Sequence, residues 1–310
     1  LLTSYSLLKT TASLHKDYYN KKPFIMSGQE MTTSEMFDML ASTYEAATGG
    51  CTREVAMHLI DILPPVDSES VVLDNACGNG IAAQELLFRY PDTPLKISSV
   101  DNAPPMVELA RRALPAVKSS ATLSFDVMDG IDLQFPDETF THSITNMGLM
   151  FFPDGAKGAT EIYRTLKLGG TAIVTTWKSA GHLAVVHEAQ KAVKPEAPLF
   201  RFPVGDEWFE AAHLEKTLQD AGFKDVEMYE RTVYYASKTV EETCGYMLGM
   251  WQKMGPKWTD EENAEFGKQL VIAGKKAMVK VSRPLNGEKG ADVFEVEGFP
   301  CVAHVAVARK

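Results

Sequence analysis

Cysteine is scarce in this 310-residue chain: Cys51, Cys77, Cys244 and Cys301 are scattered, with no paired spacing among them. That argues against a secreted disulfide framework and a cysteine-based metal site, and makes reduced thiols in a cytoplasmic protein the expectation. No metal site is expected. No apolar run approaches the roughly 20 residues that a membrane-spanning helix needs. Positive charge is also short, with 31 Lys and Arg against 41 Asp and Glu, a formal net charge of -10 and a pI near 5.3. A polyanionic partner would meet Coulomb repulsion, so nucleic acid is a poor substrate. The local basic cluster Lys275, Lys276, Lys280 and Arg283 reads as a solvated helix face. Arginine is missing from the first 25 residues, where Lys9, Lys16, Lys21 and Lys22 face the single acid Asp17. A mitochondrial presequence would normally carry arginine and a stronger apolar pattern, and an extension ahead of an internal start at Met26 is an equal reading.

What is present is ordinary globular material, 45% hydrophobic and 23% charged, without repeats. Strand-like and helix-like segments alternate from about 71 to 177, the pattern of a parallel sheet covered by helices. Strands are expected at 71–74, 95–100, 121–125, 140–147 and 171–177. Between them come helices at 81–89, 104–114 and 156–168, the last stopping at Gly169 and Gly170. Beyond Trp177 helices dominate, at 208–221, 239–253 and 259–279, the last two opening on Thr239-x-x-Glu242 and Thr259-x-x-Glu262 capping boxes. Strands at 226–235 and 302–308 complete the sheet. The expected organisation is an N-terminal extension over 1–30 and one domain over 31–310, with helical insertions at about 178–225 and 237–285.

The segment Val71-Val72-Leu73-Asp74-Asn75-Ala76-Cys77-Gly78-Asn79-Gly80 carries a strand, an acid at its end and a glycine turn into a helix, which lets a ligand approach the backbone and meet the helix N-terminus. Asp101, at the tip of the second strand, is placed to accept hydrogen bonds from both hydroxyls of a ribose; its plain alternative is a helix-capping acid. A dinucleotide loop has glycines straight after an apolar strand and cradles a pyrophosphate. Here Asp74 precedes them, and a carboxylate repels pyrophosphate but attracts an ammonium and a sulfonium.

These residues resemble the class I S-adenosylmethionine-dependent methyltransferases. Asp74-x-Ala76-Cys77-Gly78-x-Gly80 is similar to their first motif, with Ala76 where glycine is more usual. Asp101 matches their ribose-binding acid, and Asp129 in Met128-Asp129-Gly130 the acid that holds the adenine amino group. Asn146-Met147-Gly148 and Leu166-Lys167-Leu168-Gly169-Gly170 match two further signposts, with Leu168 replacing a commoner proline. The likeness is close over about 44–177 and loose beyond. It leans to ubiquinone-type and fungal secondary-metabolite enzymes, including those that S-methylate dithiols of the gliotoxin type. It implies an α/β, Rossmann-like fold with a seven-stranded, mostly parallel sheet, helices on both faces and a helical cover. It also implies S-adenosyl-L-methionine as cofactor and a cofactor site built from Tyr44, Asp74, Asn75, Ala76, Gly78, Gly80, Asp101, Asn102, Met106, Met128, Asp129, Gly130, Asn146 and Met147. An NAD-dependent oxidoreductase, or a protein of this fold that holds the cofactor without using its methyl group, is the rival function.

Methyl transfer from a sulfonium is an in-line displacement, so alignment of the reacting atoms and a dry pocket carry much of the rate. An alcohol acceptor needs a base and a thiol little help. His182 and His187, after the fifth strand, are the candidate bases, against surface or packing roles. Tyr19, Phe151, Trp177, Phe202, Trp208, Tyr246 and Trp251 are candidate acceptor-pocket residues, with Phe152 and Phe200 behind them and core packing as the plain alternative; Tyr18, Tyr19 and Tyr44 are placed to close over the donor, with an ordinary amphipathic helix as theirs. Arg53 is either a partner for the donor carboxylate or a surface arginine. The acceptor is a small molecule; the oligomeric state is not readable.

Overall fold

The computed structural model describes residues 24–26 and 29–310, so Tyr18 and Tyr19 lie outside the described residues. Within the segment read as an extension, β1 (Phe24–Met26) and β2 (Gln29–Met31) pair antiparallel. Helix α1 (Thr33–Leu40) starts at a Thr32/Glu35 capping box, and α2 (Tyr44–Ala47) and α3 (Cys51–Ile62) follow.

The sheet then builds outward from its centre. β3 (Val71–Asn75) leads through α4 (Ile81–Arg89) to β4 (Lys96–Asp101), and α5 (Pro104–Ala113) leads to β5 (Thr122–Val127). β6 (Phe140–Thr145), α6 (Gly155–Thr165) and β7 (Leu166–Ala180) extend it in the other direction. Right-handed crossovers therefore put α4 and α6 on opposite faces, and the carboxyl ends of β3 and β6 flank the point where the connections diverge, where ligands of open α/β sheets bind. β3 is buried along nearly its whole length, as a two-faced central strand must be.

After α7 (Gly181–Val193) come α8 (Ala211–Ala221), β8 (Asp225–Ser237), α9 (Val240–Met254), α10 (Asp260–Ala277), β9 (Val279–Pro284) and β10 (Val293–Arg309). The order β5-β4-β3-β6-β7-β10-β8 keeps the first five strands parallel, while β10 runs antiparallel to both neighbours and to β9.

Three boundaries differ from the sequence reading. The sheet has eight strands, because β9 lies where the helical stretch 237–285 was expected and pairs with an extension of β10 that begins at Val293 rather than 302. Val279 and Val281 alternating with Lys280 and Ser282 give a period of two that the capping box upstream masks. The expected helix 156–168 ends at Thr165, whose hydroxyl bonds back to Glu161 O at 2.8 Å. Gly169 and Gly170 belong instead to an irregular start of β7, where they exchange backbone hydrogen bonds with Lys310.

Candidate active site

The loop after β3 begins in left-handed backbone at Ala76 (φ 53°) and Gly78 (φ 54°) and ends at Gly80 (φ 85°), which opens α4. The two glycines serve different ends. A Cβ at Gly80 would sit 2.2 Å from Leu114 Cδ1, so this glycine lets the start of α4 pack against the end of α5. A Cβ at Gly78 would meet no protein atom within 4 Å, and Gly78 lines a cleft of about 550 Å³. Ala76 has no such freedom and holds a conformation costing an L-residue about 1–2 kcal/mol. Ala76→Gly is expected to stabilise the protein by about 0.5–1 kcal/mol after the added entropy of the unfolded chain is offset; a urea melt showing lower stability would contradict this.

Asp101 closes the loop from β4. Its Oδ2 accepts from Gly78 N and its Oδ1 from Ala103 N, both at 2.9 Å. The other predicted residues around this cleft are Tyr44, Ala76, Asn102, Met106, Met128, Gly130, Asn146 and Met147, joined by Thr33, Phe37, Gly148, Phe151 and Phe152. Asn146 is fixed from two sides: its Nδ2 donates to Thr52 O at 3.1 Å, and its Oδ1 accepts from Thr175 Oγ1, which in turn accepts from Met147 N. Asp129 stands beside the cleft between Met128 and Gly130, its carboxylate accepting from Ile131 N at 3.2 Å.

Asp74 and Asn75 are almost fully buried behind the loop rather than in the cleft lining. Burial pushes the Asp74 carboxyl up to about 7 and that of Asp101 up to about 6. Asp74 Oδ2, both amide atoms of Asn75 and Asn79 Oδ1 lack partners among the described residues. Each such group costs about 1–3 kcal/mol, and a cluster of them under a glycine loop fits a site whose polar groups await a ligand.

A second, larger cleft of about 970 Å³ adjoins the first and shares Phe37, Tyr44, Met147 and Phe151 with it. Trp177, Phe200, Phe202 and Trp251 line it, as does His182; among the described residues no Asp, Glu, Lys or Arg does. The His182 ring stacks on Tyr235 with centroids 4.3 Å apart, and Nδ1 lies 3.7 Å from Cys301 Sγ. Burial lowers this imidazole to about 4, so it is neutral at physiological pH.

Several candidates are not brought to either cleft. His187 Nε2 pairs with Phe200 O at 2.7 Å, tying α7 to the following loop. On α9 the residues facing the cleft are Met247, Met250, Trp251 and Met254, a helical face that leaves Tyr246 pointing away. Trp208 packs over Gly155 and edge-on to His213. Arg53 is held by Glu45, Glu85 and Gln84 and lies outside both linings. Phe37 was missed, though the Thr32-x-x-Glu35 box announces its helix.

The methyltransferase domain model matches residues 73–174, covering the loop, Asp101 and the strand ends beside the smaller cleft. The chain is 23% identical over 209 residues to methyltransferase tpcH of Aspergillus fumigatus, covering 63% of this chain and 72% of that protein. It is 25% identical over 267 residues to the acetylaranotin bis-thiomethyltransferase of Aspergillus terreus, covering 80% and 89%. The fold matches a chain of the complex between the Haloferax volcanii Trm112 methyltransferase activator and a methyltransferase, with a TM-score of 0.50, 19% identity, and 88% and 98% covered. The protein thus has the fold and the domain of a methyl-transferring enzyme. These likenesses support a class I S-adenosylmethionine-dependent methyltransferase, with S-adenosyl-L-methionine as its cofactor.

Proposed function

We propose that this enzyme methylates an uncharged, hydrophobic small molecule of secondary metabolism on sulfur, oxygen or nitrogen. One observation carries the reading: the smaller cleft shares Phe37, Tyr44, Met147 and Phe151 with a larger one, whose lining among the described residues holds no Asp, Glu, Lys or Arg. A charged acceptor would have to shed its hydration there without a partner, at a cost of several kcal/mol. Two relatives are fungal enzymes, and one is named for thiomethylation. A thiol ionises near pH ~8.5 and needs little from a base, whereas an alcohol needs a strong one. His182, neutral and weakly basic, suits the first better, so a dithiol is the favoured acceptor.

In this reading the bound cofactor supplies the activated methyl group, and the protein does the rest. Asp101 accepts from the ribose, Asp129 from the adenine amino group, and the loop from Asp74 to Gly80 with Asn146 and Met147 holds the aminoacyl end. Tyr44 and Phe37 separate the two clefts, and the aromatic and methionine lining excludes water from the acceptor. Residues 31–310 act as one catalytic domain in the cytoplasm. Nucleic acid is not the acceptor; Lys275, Lys276 and Lys280 are each paired with a glutamate. Among the described residues no helix is long and apolar enough to cross a membrane.

The test is incubation of the enzyme and a deuteromethyl cofactor with a metabolite extract, read by mass spectrometry. A neutral hydrophobic compound should gain the label. Label confined to charged metabolites or to RNA, or a methyl group left intact with a bound acceptor, would overturn the proposal.

The two buried carboxyls also predict a pH dependence. Both are raised, so the native protein keeps them neutral at acid pH, an advantage lost as pH rises through about 6 and then about 7. A cationic ligand favours their ionised forms. Affinity for S-adenosylmethionine is therefore expected to rise between pH 5.5 and 7.5 with proton release, which titration calorimetry in buffers of different ionisation enthalpy would detect; a flat profile would contradict it.

A further inference from the structure

Arg283 on β9, the strand absent from the sequence-based reading, reaches across to two other segments. Its Nη1 donates to Gly49 O and to Tyr234 O at 2.9 Å each, and its Nη2 to Ala236 O at 3.0 Å, with Glu54 Oε2 3.8 Å away. One side chain thus joins the turn between α2 and α3 to the end of β8. The turn is shaped around it: Gly49 and Gly50 have φ of 55° and 70°, and a Cβ at Gly50 would lie 2.8 Å from Nη2. Ala236 N donates to Gly49 O, and Tyr235 Oη to Ala47 O, across the same seam.

The residues flanking this turn face the site. Tyr44 precedes it and lines both clefts; Thr52 follows it, lines the acceptor cleft and receives Asn146 through its carbonyl. We propose that Arg283 is a positioning residue for methyl transfer: by fixing the Ala47–Gly50 turn from outside, it holds Tyr44, Thr52 and, through Thr52 O, Asn146 where the cofactor and acceptor clefts meet. The side chain is well suited, because a planar guanidinium satisfies several carbonyls at fixed angles and an ammonium does not.

The proposal rests on reading the smaller cleft as the cofactor site, so S-adenosylhomocysteine binding to the wild type is measured first. No binding there removes that reading, and the proposal with it. Arg283→Gln is then compared with Lys280→Met, on the same strand as Arg283, which cuts the Lys280–Glu297 ion pair between β9 and β10 but touches nothing at the turn. The dissociation constant should rise about tenfold in Arg283→Gln and stay within about twofold in Lys280→Met, at a temperature where both are folded. Wild-type affinity in folded Arg283→Gln overturns the proposal while leaving the cofactor reading intact, and so does an equal loss in both variants. If Arg283→Gln does not fold, Arg283→Lys takes its place with an expected rise of about threefold, and unchanged affinity in it is the overturning result.

Discussion

Asp101→Ala is expected to weaken binding of S-adenosylhomocysteine by about 100-fold, close to 2.7 kcal/mol. Two losses combine. The carboxylate would accept from two ribose hydroxyls, and hydrogen bonds to a charged group contribute about 1.5–3 kcal/mol each. It also organises the loop before any ligand arrives, since Gly78 N and Ala103 N both donate to it. Without it those donors are orphaned and the left-handed turn at Gly78 loses its fastening to β4. Asp101→Asn should fall between, retaining one acceptor oxygen. Calorimetric titration of the folded variants checks this, and a dissociation constant within about threefold of wild type for Asp101→Ala would show that the ribose is held elsewhere.

Arg53→Met should lower stability by about 3–5 kcal/mol, a fall of roughly 5–8 °C in melting temperature. Arg53 and Glu85 form an ion pair whose side chains are 11% and 1% exposed, with Glu45 and Gln84 completing the guanidinium's partners. Burial outweighs the guanidinium and holds Glu85 above the ordinary carboxylate range, so the pair contributes less than its geometry suggests. Removing one member is another matter, because Glu85 would keep only Gly287 N, now 2.6 Å away. Proton uptake by Glu85 relieves part of the loss at low pH, so the deficit should be larger at pH 8 than at pH 6. Arg53→Met with Glu85→Met should recover most of it, since apolar replacement of a buried pair is often neutral. A single-variant loss below about 1 kcal/mol would show the network to be dispensable.

These two residues also mark how far sequence reading reaches. The place of Asp101 was legible because it is local: an acid at a strand tip, a fixed distance after a glycine turn, is carried by the β3-α4-β4 unit. The strands β3 to β7 were legible for the same reason, by apolar runs punctuated by glycine and proline. Arg53 was not, because its partners come from α2 and α4 and no periodicity reveals that a helix-borne arginine is enclosed by acids. Gly78 and Gly80 look equivalent in sequence and separate only when Leu114 arrives from α5 to occupy the space at one of them. His182 and His187 differ by five residues on one helix, far enough round it that one faces the larger cleft and the other a loop carbonyl. The β9 strand was hidden because Lys280 and Arg283 suggest a charged helix face, whereas hydrogen bonding to β10 and the glycine turn decides their conformation.

We infer that the cleft between the β3 loop, Asp101 and Gly130 holds the adenosyl sulfonium cofactor. A crystal structure of the protein grown with excess S-adenosylhomocysteine tests it most directly. The ribose hydroxyls should lie within hydrogen-bonding distance of Asp101, with the adenine between Met106 and Gly130 and the sulfur turned toward the wall shared with the apolar cleft. A cleft without ligand density under those conditions, or adenosine bound away from Asp101, would contradict it.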